Sequence, residues 1–279
     1  MVTYNYKENM ERIFLYMERE TVKKNGLKTL DKALSLLEYI YLKEKDTGKE
    51  IGISEINQTL HLGLSTIHRI LTTFKAHGYL IQNQKTMKYQ LGIKLFEIGH
   101  TVQNTNRLIE TIKPYLIQLS ESIGEASNLA ILEGTEIIYI AKIASSEVLT
   151  ANIKVGTRLP ANCTSLGKVS LAFISEREVE NLYKRDKQLP CLTSKSISSF
   201  EELKKQLIKI KEQGYAIDKE EYKVGVNCLA VPIKDKKGKA IAAISIAGPA
   251  SRFDSVKIEK NISKLINISK EISIYISTV

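Results

Sequence analysis

Gly63-Leu64-Ser65-Thr66-Ile67-His68-Arg69-Ile70-Leu71-Thr72-Thr73-Phe74-Lys75-Ala76-His77 is the stretch of this 279-residue chain that decides its fold. Ile67, Ile70, Leu71 and Phe74 recur at i, i+3, i+4 and i+7, which puts four apolar side chains on one face of a helix from Leu64 to His77. The other face carries Ser65, Thr66, His68, Arg69, Thr72 and Lys75, donors and small polar groups suited to phosphates and base edges. Upstream, residues 54–60 read as a shorter helix with Ser54 as N-cap and Ile56 and Leu60 inward, and a brief turn at 61–63 separates the two. Downstream, 79–82 and 88–91 read as short strands joined by Asn83-Gln84-Lys85-Thr86, a ribbon with lysines near its tip. Two helices across a tight turn, then a basic hairpin, describe a winged helix-turn-helix. A helical module with a hairpin that binds protein is the other reading of the same elements.

Charge weighs between the two. The chain holds 41 Lys+Arg against 31 Asp+Glu, a net +10 spread over its whole length. Locally the balance is different. No acidic residue occurs between Glu55 and Glu97, while Arg69, Lys75, Lys85, Lys88 and Lys94 do, and all four histidines lie between 61 and 100. An acid-free stretch over the second helix and the hairpin is what a surface facing phosphates requires.

Outward from this core, residues 7–24 carry Met10, Ile13, Phe14 and Met17 at helical spacing, and Gly26 ends that segment. A helix over 28–43 has one apolar stripe through Leu30, Ala33, Leu34, Leu37 and Ile40, and the polar run 43–48 reads as a loop. The pattern is helical again from 94 to 123, with a polar connector at 101–106 and Pro114 as the expected bend or restart. The period then changes to strands at 128–132, 137–142 and 148–155, followed by helices at 165–174, 176–184 and 200–213, the last stopped by Gly214. Strands 228–234 and 240–247 flank Asp235-Lys236-Lys237-Gly238, a hairpin turn, and a last helix covers 255–276. Mixed strands with helices on them predict an α+β domain of the small-molecule sensor type. The expected division is an N-terminal helical extension (1–26), a winged helix-turn-helix domain (27–93), a linker helix (94–107) and an effector-binding domain (108–279).

These residues resemble a known family. Leu30-Asp31-Lys32-Ala33-Leu34-Ser35-Leu36-Leu37, Ser65-Thr66-Ile67-His68-Arg69-Ile70-Leu71, His77-Gly78-Tyr79 and Tyr89-Gln90-Leu91-Gly92 are similar to the DNA-binding half of the IclR family of bacterial transcriptional regulators. Its other half is matched by Gly124-Glu125, Val155-Gly156-Thr157-Arg158-Leu159-Pro160, Gly167-Lys168, Gly214-Tyr215-Ala216-Ile217-Asp218, Glu220-Glu221, residues 225–232 and residues 242–249. The motifs run in the family's order over about 27–252.

The resemblance implies a winged-helix domain, a linker helix and a GAF-like α/β effector domain. It also implies a homodimer or dimer of dimers on double-stranded operator DNA, and a small-molecule effector, a carboxylic or aromatic acid, that changes DNA binding. On the DNA side it points to Ser65, Thr66, His68, Arg69 and Thr72 on the recognition helix, with Lys85 and Lys88 on the wing. Helix-end packing against the wing is the other role open to Arg69, and a structural hydrogen bond is open to His68. On the effector side it points to Thr164, Ser165 and Leu166 as a backbone clamp. Asp218, Cys228 and Ser245 match the polar lining, and Ala151, Leu159 and Val226 the apolar side. Cys228 as a buried small residue, Asp218 as a turn cap and Ser245 as a partner of a strand neighbour are the structural alternatives. Two departures stand out: His61 and Gly63-Leu64 replace the family's usual turn glycine and the Pro-Lys before Ser65, and Ala247 stands where many relatives have a hydroxyl.

Catalysis is not expected. Residues 101–279 contain no histidine, and the GxSxG, GxxxxGK[ST] and HExxH patterns are absent. Cys163, Cys191 and Cys228 are widely spaced with no CxxC pair, so neither a disulfide framework nor a metal site is expected, and no cofactor. No membrane-length apolar run exists, and Glu8 and Glu11 interrupt any leader-like segment, so the expected location is the cytoplasm.

Overall fold

A computed structural model describes residues 27–145, 147, 153–184 and 188–278, with backbone alone at 103 and 104. The helix expected over 7–24 and the candidate residue Ala151 lie outside the described residues. The chain divides into two compact units, with the break between Gln103 and Asn104.

In the first unit, α1 (Lys28–Thr47), α2 (Ile53–Leu60) and α3 (Leu64–Ala76) enclose a core of Leu36, Tyr39, Ile40, Ile56, Leu60, Ile67 and Leu71. Leu80 of β1 (Leu80–Gln82) and Tyr89 of β2 (Tyr89–Leu91) close it from the antiparallel wing. Helix α1 runs four residues past the expected end, because Lys43-Glu44-Lys45 are good helix formers and Gly48, at φ 66°, is the first residue suited to an αL cap. Helix α2 starts earlier than expected. Its N-cap is Gly52, not Ser54, and the Glu55 carboxylate accepts the Gly52 N–H at 3.5 Å. Residues 94–123 form two helices, α4 (Lys94–His100) and α5 (Gln103–Ile123), and the interruption falls at 101–102. Pro114, the expected bend or restart, sits inside α5 and begins no new helix.

The second unit is built on a six-stranded antiparallel sheet in the order β5-β4-β3-β8-β7-β6. Its strands are β3 (Ala126–Glu133), β4 (Glu136–Ile143), β5 (Arg158–Pro160), β6 (Ala216–Lys219), β7 (Val226–Lys234) and β8 (Ala240–Pro249). One face packs on α5 and α9 (Ser255–Thr278) through Leu129, Leu229, Val231, Ile244 and Ile246. The other packs on α6 (Ser165–Ala172), α7 (Glu176–Tyr183) and α8 (Phe200–Gln213) through Ala130, Ala230 and Ala243, where small residues let the helices approach closely. Gly167 shows how close: a Cβ there would lie 2.2 Å from the Ala161 carbonyl oxygen. Gly214 caps α8 at φ 82°, as its sequence position requires.

The strand expected over 148–155 is not formed where it can be seen. Residues 148–152 are outside the described set, 153–157 are irregular, and the edge strand is β5 instead. Strand β6 had no counterpart in the sequence reading. Four residues with one carboxylate among them are too few to show a period.

Candidate DNA interface and effector site

The apolar stripe of α3 fixes which side chains it presents. Ile67, Ile70 and Leu71 are buried, so Ser65, Arg69 and Thr72 point away from the core, with His68 beside them and Thr66 half-buried at the edge. Arg69 is exposed, and no described residue partners its guanidinium, so the packing role open to it in the sequence is not the one observed. In the turn before α3, His61 itself adopts φ 50° and its N–H donates to the Asn57 carbonyl. Leu64, at the helix start, is exposed.

The wing is held by an acid the sequence window did not contain. The Glu50 carboxylate accepts from Asn83 Nδ2 and Thr86 Oγ1, each at 2.6 Å, and Asn83 Oδ1 accepts the Lys85 and Thr86 N–H groups. Those hydrogen bonds, Thr86 first, hold the Glu50 carboxyl below its ordinary range, helped by the Lys88 charge. The acid-free stretch in sequence is therefore not acid-free in space. Lys85 and Lys88 remain exposed at the tip, and Lys75 reaches from α3 to Gln82 of the wing at 2.9 Å.

In the second unit, strand register gathers four of the nine effector candidates: Asp218, Cys228, Val226 and Ser245. Asp218 of β6 pairs with Cys228 of β7, which pairs with Ala247 of β8, and Val226, Cys228 and Ala247 form a small apolar cluster of their own. One rung along, Ala230 pairs with Ser245, whose hydroxyl accepts from Asn128 Nδ2 of β3 at 3.3 Å. All lie on the α6 face of the sheet, since their strand neighbours Leu229, Ile244 and Ile246 face α5 and α9. Thr164 caps α6, accepting the Gly167 N–H at 3.0 Å, and the first-turn N–H groups of Ser165 and Leu166 have no intrahelical acceptor. Leu159 is on edge strand β5, in the core beneath α6.

Asp218 is also the turn cap that its sequence allowed: its Oδ1 accepts the N–H of Glu221 at 2.6 Å and of Tyr222 at 3.3 Å. Burial above all, then the Glu221 charge, pushes its carboxyl up to about 7. Cys228 hydrogen-bonds Asp218, and burial raises its thiol well above the ordinary range. Beside them sits Lys168, fully buried on α6. Its ammonium donates to Glu221 Oε1 at 2.5 Å, to the Ile217 carbonyl at 2.9 Å and to Gln206 Oε1 at 3.4 Å. Two grooves, of about 470 and 360 Å³, open elsewhere on this unit and contain none of these residues.

Comparison with known proteins decides what this pairing of modules is. Residues 29–84 match the IclR helix-turn-helix domain and residues 100–274 the bacterial transcriptional regulator IclR C-terminal domain. The chain belongs to the IclR family of transcriptional regulators. As an IclR-family protein it is a helix-turn-helix regulator with a C-terminal effector-binding domain. It is 35% identical to the HTH-type transcriptional regulator XynR of Escherichia coli over 83% of this chain and 90% of that one. The crystal structure of Thermotoga maritima IclR is similar at TM-score 0.70 and 30% identity, covering 88% of this chain and 97% of that one. An IclR homolog from Microbacterium hydrocarbonoxydans, solved with 4-hydroxybenzoate, shares the fold at TM-score 0.73 and 22% identity, over 86% and 98%.

Glu50, Asn128, Lys168 and Glu221 acquire roles in the site that the sequence reading did not assign. Lys168 and Glu221 stood inside quoted motifs, yet nothing in the pattern of either marks a pair 53 residues apart.

Proposed function

We propose that this regulator binds double-stranded operator DNA as a homodimer or dimer of dimers. In this reading α3 lies in the major groove, with Arg69 on a guanine or phosphate, Thr66 and His68 near base edges, and Ser65 and Thr72 alongside. Lys85 and Lys88 of the wing hold the backbone. What carries the reading is the outward face of α3: exposed, free of acid and continuous with a wing whose tip is braced from behind by Glu50. Exposed Leu27, Leu30 and Leu34 form an apolar ridge on one side of α1, which a second copy would cover.

The effector sits between the first turn of α6 and the strand row beneath it. The N–H groups of Ser165 and Leu166 take a carboxylate, Asp218, Cys228 and Ser245 line the polar side, and Val226 with Ala247 lines the apolar side. The ligand class is a carboxylic or aromatic acid, as the 4-hydroxybenzoate of the Microbacterium homolog supports. The protein works by binding and performs no chemistry, and it works in the cytoplasm. No helix among the described residues is long and apolar enough to cross a membrane.

The test is titration of the purified protein with DNA from upstream of its own gene and with scrambled DNA, at two salt concentrations. Saturable binding of the upstream fragment that weakens steeply with salt supports the reading. Equal affinity for both DNAs refutes it and favours a protein-binding N-terminal module.

A further inference from the structure

The effector face carries a buried charge cluster that does not balance. Asp218 of β6, Glu221 of the turn after it and Lys168 of α6 lie together, each almost wholly out of water. That sets two carboxylates against one ammonium. The ammonium is fully engaged, with its three donors directed to Glu221 Oε1, the Ile217 carbonyl and Gln206 Oε1. Asp218 therefore has no cation in contact among the described residues. It is held by two backbone N–H groups on Oδ1 and by the Cys228 thiol.

The elements packed around Asp218 do not correct the balance. On β7 its cross-strand partner is the Cys228 thiol, and α8 contributes the neutral Gln206. Thr193 and Ser196 meet the turn with hydroxyls on the Glu220 and Glu221 carbonyls, while Lys195 pairs with Glu220 nearer the surface. The Cys163 thiol also faces Glu221, and burial pushes it up to about 11, so it stays uncharged. Lys219, the next residue on β6, turns away to Ser255 of α9. Burial first, then the Glu221 charge, opposes ionisation of Asp218, and Lys168 offsets only part of this.

An acid effector adds a further negative charge to the same face. The Ser165 and Leu166 N–H groups stand in the turn of α6 that leads to Lys168, and Lys168 reaches the carbonyl next to Asp218. The positive end of α6 offsets about half a unit charge at most. Inside the protein, like charges at such separations repel far more than they do in water. A proton restores the balance, and its place is on the acid without a cation.

We propose that an effector acid enters its site together with one proton from solvent, taken up by Asp218, so that the regulator responds to acid and pH jointly. This rests on the effector site placed above. With Oδ1 engaged by the turn, Oδ2 is the oxygen that carries the proton, and as a hydroxyl it becomes a donor on the polar side of the site. A carboxylate could not serve there.

The experiment is calorimetric titration of the full-length protein with butyrate and with 4-hydroxybenzoate, in Hepes and in Tris at matched salt. The difference in heat between the two buffers counts the protons taken up per acid bound. For a carboxyl near 7 that is fully protonated in the complex, the expected uptake is about one half at pH 7 and about 0.9 at pH 8, with affinity about fivefold lower at the higher pH. Asp218→Asn, verified as folded by thermal melts, should take up no proton and bind with an affinity that does not change with pH. Ser245→Ala should weaken binding and keep the proton count. The wild-type count decides without any variant: no proton taken up at either pH overturns the proposal and leaves the effector site standing. Uptake undiminished in folded Asp218→Asn overturns it as well. Neither acid bound by the wild type, or binding unchanged by Ser245→Ala, overturns the effector site and the proposal with it.

Discussion

Lys168→Met tests whether the effector unit is held together at its centre by a buried charge pair. In the wild type the Lys168 side chain is 1% exposed and that of Glu221 11% exposed, so the pair is shielded from water. Methionine keeps most of the lysine's apolar stem and removes the ammonium. It leaves the Glu221 carboxylate buried without its cation, and the other oxygen, Oε2, already has no hydrogen-bond partner among the described residues. Breaking such a pair from one side costs about 3–5 kcal/mol. For a unit of this size, 1 kcal/mol moves the melting midpoint by about 2–4 °C, so the variant should melt roughly 6–20 °C lower. Lys168→Met/Glu221→Met removes both charges and should recover to within about 1 kcal/mol of wild type, because paired burial and apolar replacement are nearly equivalent. The assay is calorimetric and urea unfolding of wild type, both single variants and the double variant, read as a double-mutant cycle. A loss below about 1 kcal/mol for Lys168→Met, or strict additivity in the double variant, would refute the reasoning.

Further outcomes are expected elsewhere. Arg69→Ala should weaken operator binding by about 1–3 kcal/mol in anisotropy titrations, as for a bidentate base contact, without altering acid binding by the other unit. Asp218→Asn should change the pH profile of stability. The folded-state carboxyl, raised to about 7 from 3.8, binds its proton more tightly than the unfolded chain does, so the wild type loses stability as pH rises from about 4 to 7 and levels off above. The variant lacks that slope, and its stability relative to wild type should be greater at pH 8 than at pH 5 in urea titrations. His61→Gly should stabilise the first unit by about 0.5–1 kcal/mol, read as a raised urea midpoint, because glycine takes the αL conformation without the Cβ penalty.

Long apolar periods made most of this molecule legible. Ile67, Ile70, Leu71 and Phe74 identify α3 and, by exclusion, its outward face, and Gly214 marks the end of α8 through its conformational freedom alone. What the sequence hides is distance. Glu50 lies outside the acid-free window, yet folding brings it back to Asn83 and Thr86. Lys168 reads as an ordinary helix lysine until Glu221, on a loop beyond two further helices, arrives over it. A register irregularity between Leu129 and Ala130, across which Ile140 and Ala141 both face the same core, makes simple alternation along β4 lose count. The short strands β5 and β6 lack the length for any period to show. On the first unit, two local readings needed correction: Gly48, and no polar run before it, ends α1, and Gly52, not Ser54, caps α2.

In the proposed function, acid binding in the C-terminal unit is coupled to operator binding through the N-terminal unit. That coupling is tested most directly by measuring the two affinities against each other: operator affinity with and without a saturating acid found to bind, and acid affinity with and without saturating operator. Thermodynamic linkage requires the two ratios to be equal, and a coupling of about 5- to 150-fold is typical of allosteric proteins. Equal ratios, different from one, are the predicted result. Ratios of one in both directions, with acid and DNA each bound, would contradict the account.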